Sequence, residues 1–294
     1  QLPNGVDRRA FVDLLGDTVP TSLEPEASLQ AIETRPGYRV ELVAAEPLVM
    51  DPVAFDWGPD GRLWVVEMAD YPLGLDDRGK PGGRVRYLED RDGDGQYESS
   101  TLFATGLSYP SDIMAWRRGV LVTAAPHIWY LEDTNQDGRA DRREPWFQGF
   151  GEGNQQHRVN GLRWGLDNWV YVANGDSGGT VQSTKTDDSV TINGRDLRIR
   201  PDSGQLAAAT GQTQHGRNRD DWGNWWGANN SFPMYQYLLK DSYLRRNPHV
   251  PPPSPRVNIV TLNNAPIHPI SRVLSHYSNY RKPAPGEPGR FTSA

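Results

Sequence analysis

The sequence predicts an all-β chain, a β-propeller of four-stranded blades. Three observations predict it. A strand–turn–strand unit with a tryptophan just before the turn occurs at 53–67, 112–123 and 160–172. A strand ending in Tyr-Leu-Glu-Asp leads into an acidic loop at 87–98 and again at 130–144. Trp (10) and Tyr (12) are abundant, which favours strands, and no long 3.6-residue apolar period favours helices. Repeats of about four strands, spaced by roughly 43–60 residues, are the signature of propeller blades. A β-sandwich would not require a Trp-turn and an acidic loop at matched offsets.

Taken in order, residues 1–35 read as a peripheral segment with short helices at 8–15 and 24–32, punctuated by Pro20 and Pro25. At 38–43 apolar and polar residues alternate, which predicts a strand with one buried face. The first unit runs 53–57, turns through Gly58-Pro59-Asp60-Gly61, and returns over 62–67. The second turns at Arg117-Arg118-Gly119, the third at Gly165-Leu166-Asp167-Asn168. Asp-Gly and Asp-Asn supply the positive φ that such turns need. Outer strands follow the acidic loops at 100–103 and 145–147. A fourth blade is expected through 196–200, the turn Pro201-Asp202-Ser203-Gly204, and 222–239. Blades thus occupy 36–247, and 248–294 is a Pro-rich irregular segment or the start of further blades. Propellers have about 4–8 blades, so the count predicts a truncated, partial propeller; a closed four-bladed ring is the lesser reading.

The 294 residues carry a net charge of −6, with 36% hydrophobic and 23% charged residues. That balance supports a packed core and gives no support for a nucleic-acid surface. No apolar run approaches the ~18 residues of a membrane span. With no cysteine, disulfides, a thiolate nucleophile and Cys-ligated zinc are excluded within the chain. The chain begins at Gln1, so a removed export signal or a fragment is expected, and with it a periplasmic or extracellular location.

Four groups of residues are candidates for chemistry. The acidic loops offer Asp90, Asp92, Asp94 and Glu98, and Asp133, Asn135, Asp137, Asp141 and Glu144. Hard cations such as calcium need several oxygen ligands, and a glycine lets the loop turn back on itself. The second loop keeps the ligand spacing through position 12 (Glu144); the first has Thr101 there. Strand flanks rule out an EF-hand, so the ion would clamp a blade edge; the plainer reading is an acidic hairpin turn. His157 falls on the connection into the innermost strand of blade three, which opens onto one end of a propeller channel. Its plainer role is a hydrogen bond between blades. Asp176, in the turn 174–179, could orient His157, bind an ion, or merely turn the chain. Arg217, Asn218, Arg219 and Trp222 suit a planar, carboxylated ligand through guanidinium pairing and indole stacking, or else form a polar inter-blade loop. His127, His215, His249, His268 and His276 lack metal-ligand spacing.

The stretches 37–47, 61–72, 84–95, 119–126, 149–179 and 211–230 carry a family likeness, above all the run NQQHRVNGLRWG at 154–165. The chain resembles the N-terminal propeller of the membrane-bound dehydrogenases common in planctomycetes, relatives of the glucose/sorbosone dehydrogenases. The resemblance implies a propeller that oxidises a sugar or polyol hydroxyl. His157 would be the general base, and hydride would pass to pyrroloquinoline quinone (PQQ), although a matched set of quinone ligands is missing. It also implies a haem c acceptor, in a C-terminal domain that this chain lacks or in a partner. The alternative is a non-catalytic, calcium-stabilised propeller that binds carbohydrate or a protein.

Overall fold

A computed structural model describes residues 23–230, 232–259, 266–267 and 289–290. The helix expected at 8–15, His268 and His276 lie outside them. The chain is nearly all β. After a short helix α1 (Pro25–Gln30), the first sheet is the meander β1 (Pro52–Trp57), β2 (Leu63–Glu67), β3 (Gly83–Glu89) and β4 (Ser99–Leu107). The second is β5 (Asp112–Trp116), β6 (Gly119–Ala124), β7 (His127–Glu132) and β8 (Arg142–Phe150). The third begins with β9 (Asn160–Trp164) and β10 (Val170–Ala173). A hairpin, β11 (Gly179–Ser183) and β12 (Ser189–Thr191), then leaves it and adds to the free edge of β8. The chain returns as β13 (Asp196–Arg200) and β14 (Gln205–Ala209) to complete the third sheet. The fourth is β15 (His215–Arg219), β16 (Trp225–Asn229), β17 (Phe232–Tyr237) and β18 (Arg256–Asn258), with a helical turn α2 (Asp241–Leu244) between the last two. A further two-stranded pair joins β19 (Pro266–Ile267) to β20 (Gly289–Arg290).

Among the described residues every pairing is antiparallel, and the first strands β1, β5, β9 and β15 pack side by side in that order. This is the propeller arrangement: four-stranded blades set face to face around their innermost strands. The second strands of blades one to three, β2, β6 and β10, are buried on both faces and read as apolar runs. Along β2, Trp64 and Val66 face blade two while Leu63 and Val65 face the other way. Val120 and Val122 of β6 pack on blade one, and Leu121 packs toward blade three with Leu162, Val170 and Leu197.

Two expectations change. Residues 38–43 form no strand, and Tyr38 is 76% exposed. Ala44, Leu48 and Val49 instead cover the outer face of blade one against Leu63, Val65 and Leu88. Segment 196–200, expected in a fourth blade, is the third strand of blade three, and blade four starts at His215. The inserted hairpin β11–β12 separates the two halves of blade three in sequence and hides their kinship. β18 lies in the stretch read as irregular or as the start of further blades, and it closes the fourth sheet.

Strand direction sorts the loops onto two ends. The upper end carries the connections between blades (108–111, 151–159, 210–214) and the turns 68–82, 125–126 and 174–178. The lower end carries the Trp-turn hairpins and the acidic loops.

Candidate functional site at the upper channel mouth

The upper end gathers His157, Asp176 and His215. His157 closes a 3-10 turn, Gln155–His157, capped by the Asn154 side chain on the Gln156 amide. Its carbonyl accepts a 2.5 Å hydrogen bond from Ser177 Oγ. Its Nε2 lies 2.7 Å from Gln214 Nε2. The Gln214 carbonyl oxygen already accepts from the Asn230 amide, so the Gln214 amide nitrogen faces the ring as a donor. The network therefore assigns His157 Nε2 as an acceptor and puts the proton of the neutral ring on Nδ1.

His215 opens β15, and its ring stands edge to face with His157 at 6.3 Å between centroids. Burial pushes the His215 pKa down, the neighbouring His157 ring adds to this, and Asp176 opposes it. Asp176 is exposed, has φ 71°, and accepts from Gln212 Nε2. It makes no hydrogen bond to His157; its electrostatic partner at this mouth is His215.

The turn 174–179 is shaped by a close approach. A Cβ on Gly175, at φ 73°, would sit 2.0 Å from the Arg158 carbonyl oxygen. Only glycine lets the turn lie against 157–158. Buried Asn174 fixes it further by donating to the Ile192 and Arg195 carbonyls. Beside His157, the buried Arg158 guanidinium lies 4.8 Å from the Tyr109 ring centroid and donates to the Glu152 carbonyl. Its Nε and Nη1 have no hydrogen-bond partner among the described residues.

The four residues expected to hold a quinone do not share a face. Arg217 is 1% exposed, paired with Asp196, and ringed by Tyr171, Trp225 and Tyr237. It has no face toward a ligand. Asn218 is exposed and turned onto the Arg219 amide. Arg219 sits at the lower end of β15, donating to the Trp164 and Asp220 carbonyls. Trp222 is 84% exposed at the tip of the lower hairpin. These side chains do not assemble a quinone pocket.

The acidic loops hang from the lower end. Asp90, Asp92, Asp94 and Glu98 each offer an oxygen, all within 4.8 Å of one another. Asp90 accepts the Gly93 and Gly95 amides, which folds the loop around its own carboxylates. In the second loop Asp133 accepts the Gln136 and Gly138 amides and Asn135 the Asp137 amide, while Asp141 turns to Thr134. Glu144 lies in β8 and pairs with Arg142 at 2.9 Å. Its pKa is held down by Arg142 and then by the Trp146 indole N–H. The first loop thus gathers its carboxylates better, although the second has the fuller spacing.

His215, Gln212 and Gln214 were missed by sequence reasoning. A positional signal existed for His215. It occupies the first place of an innermost strand, as Asp112 and Asn160 do in blades two and three.

Among the described residues no helix is long and apolar enough to cross a membrane. No curated protein matches the chain. Among solved structures, a luciferin-regenerating enzyme is similar at 8% identity and TM-score 0.46, over 72% of this chain and 61% of that one. A structural genomics protein of unknown function from Bacteroides thetaiotaomicron is similar at 10% identity and TM-score 0.34, over 66% of this chain and 56% of that one. Residues 24–294 match one protein family, and the chain belongs to it: the family described as Domain of unknown function (DUF7133).

Proposed function

We propose that this chain is a ligand-binding propeller whose upper mouth receives a small polyhydroxylated molecule, a sugar or polyol, beside His157 and His215. The observation that carries the reading is the meeting of two imidazoles, 6.3 Å apart, with the amides of Gln212 and Gln214 and the Asp176 carboxylate. Such a set offers donors and acceptors in alternation, which is what vicinal hydroxyls pair with. The first acidic loop supports calcium as a structural ion: four carboxylate-bearing residues converge there, and an ion would relieve their mutual repulsion. Export to the periplasm or beyond would suit a calcium-held fold.

Oxidation of the bound hydroxyl is the second reading. It is supported by the resemblance of 149–179 to sorbosone-type dehydrogenases and by the place of His157 at the mouth. In the geometry described, His157 Nε2 already accepts from Gln214, so it takes a hydroxyl proton only after that bond is given up. The haem acceptor belongs to this reading alone.

Titration calorimetry with hexoses and polyols, on wild type and His157→Ala, tests the first reading. Binding in the wild type, weakened at least tenfold in the variant, supports it; no heat with any compound overturns it. Dye-linked turnover of the same compounds, with and without added PQQ and calcium, decides the second.

A further inference from the structure

The repeated tryptophan before each inner hairpin has no part in the upper mouth. It ends the innermost strands of blades one, two and three at the opposite, lower end. There a cleft of about 620 Å³ opens between blades two and three, lined by Trp116, Arg117, Trp164, Asn168, Asp202 and Ser203 among others. That volume is in the range of small-molecule sites.

The cleft has a rigid aromatic floor. Trp116 and Trp164 stack at 5.1 Å and 22°. The Trp116 indole N–H is fixed by a 2.8 Å bond to Asp202 Oδ1, and Arg117 holds the other carboxylate oxygen. Arg117, and after it the Trp116 indole, keep the Asp202 pKa low, so it stays an acceptor at neutral pH. Trp164 leaves 46% of its surface open. Around this floor the Arg117 guanidinium, the Asn168 amide, the Ser203 hydroxyl and the Asp202 carboxylate form a rim of mixed donors and acceptors. The lower end also presents Trp57 at 55% and Trp222 at 84% exposure, from blades one and four.

We infer that this lower cleft is a second site, one that binds a polysaccharide chain. A pyranose ring presents a flat C–H face, slightly positive, to the negative face of an indole, and a ring of hydroxyls to the polar rim. A polymer fits better than a free sugar, because open indoles recur on three blades of one end and the cleft is not enclosed. The inference does not depend on the His157 mouth.

Native gels cast with soluble laminarin, xylan, galactomannan or pullulan test it, with the described protein and its variants run side by side. Retardation by at least one polymer is expected. Trp164→Ala should weaken that retardation at least tenfold in apparent Kd with an unchanged melting temperature, and Trp164→Phe should keep most of it. Asp202→Asn, which removes the Arg117 ion pair, should weaken it less. Retardation by none of the four polymers, or equal retardation of wild type and Trp164→Ala, overturns the site. Loss in His157→Gln but not in Trp164→Ala would move the sugar to the upper mouth and also overturns it.

Discussion

Arg217 Nη1 lies 2.5 Å from Asp196 Oδ2, in an ion pair sealed between the third and fourth blades. Asp196 also accepts from Thr213 Oγ1 and from the Asn174 and Thr213 amides, so one carboxylate ties β13, the 174–178 turn and the entry to β15 together. Burial raises its pKa and Arg217 pulls it back. Removing one partner of such a pair leaves an uncompensated buried charge, which costs about 3–5 kcal/mol. Arg217→Met is expected to lose stability on that scale in urea unfolding, and Asp196→Asn in the same background to recover part of it. A loss below roughly 1 kcal/mol would show that the pair is not what joins these blades.

Asp112 gives a pH signature. It is fully buried at the head of β5 and accepts the Ile113 and Leu162 amides, so it joins blades two and three. Burial pushes its pKa up to about 6, against the counter-pull of Arg163. A carboxyl raised in the folded state keeps a proton that the unfolded state has released. The stabilisation this gives is complete below about pH 4 and is lost as pH rises through 6, on the order of 3 kcal/mol in all. Relative to Asp112→Asn, the wild type should therefore weaken steadily between pH 4 and 6.5. A difference that stays flat over that window would refute the raised pKa.

The upper mouth has its own titration. His215 is held neutral by burial, so NMR should place its midpoint below the ordinary imidazole value of about 6.5. Because the folded pKa is depressed, its contribution to stability is present above that ordinary value and is lost as pH falls through the folded pKa. Asp176→Asn removes the one carboxylate that opposes the shift, so the midpoint should fall further. An unmoved midpoint would break the electrostatic link between Asp176 and His215.

Calcium should raise the melting temperature and EDTA should reverse it. At 100 times Kd the stabilisation is about 2.7 kcal/mol. Asp94→Ala, in the loop whose carboxylates converge, should abolish the response. A melting curve indifferent to both reagents would leave the loop an ordinary acidic turn.

Blades one to three were legible because their second strands are buried on both faces. Runs such as Leu63-Trp64-Val65-Val66 then stand out between turns rich in Gly, Asp and Asn. Blade three was harder to read. Its third strand follows its second only after a hairpin spent on another sheet, and the outer strand of that hairpin is mostly exposed, without an apolar pattern. His157 and Asp176 could be found by loop position. Arg217 was read as a ligand because residue type alone does not reveal Asp196, 21 positions away, or the three rings around it. Glu144 satisfied a spacing learned from helix-flanked loops. On a strand the same spacing carries it along β8 to Arg142, away from the acidic turn.

The hairpin β11–β12 has a mechanical consequence. Its chain comes from the third blade and returns to it, yet its hydrogen bonds are made to β8 of the second. The two blades are clasped as a belt is held by its loop. Its tip, 184–188, lies at the surface, with Lys185 reaching the Pro201 carbonyl. A protease nick there would leave β12 of the C-terminal fragment in the sheet of blade two and divide the third sheet, with β9 and β10 from one fragment and β13 and β14 from the other. The cut chain should therefore elute as one species and separate only when blades two and three unfold together.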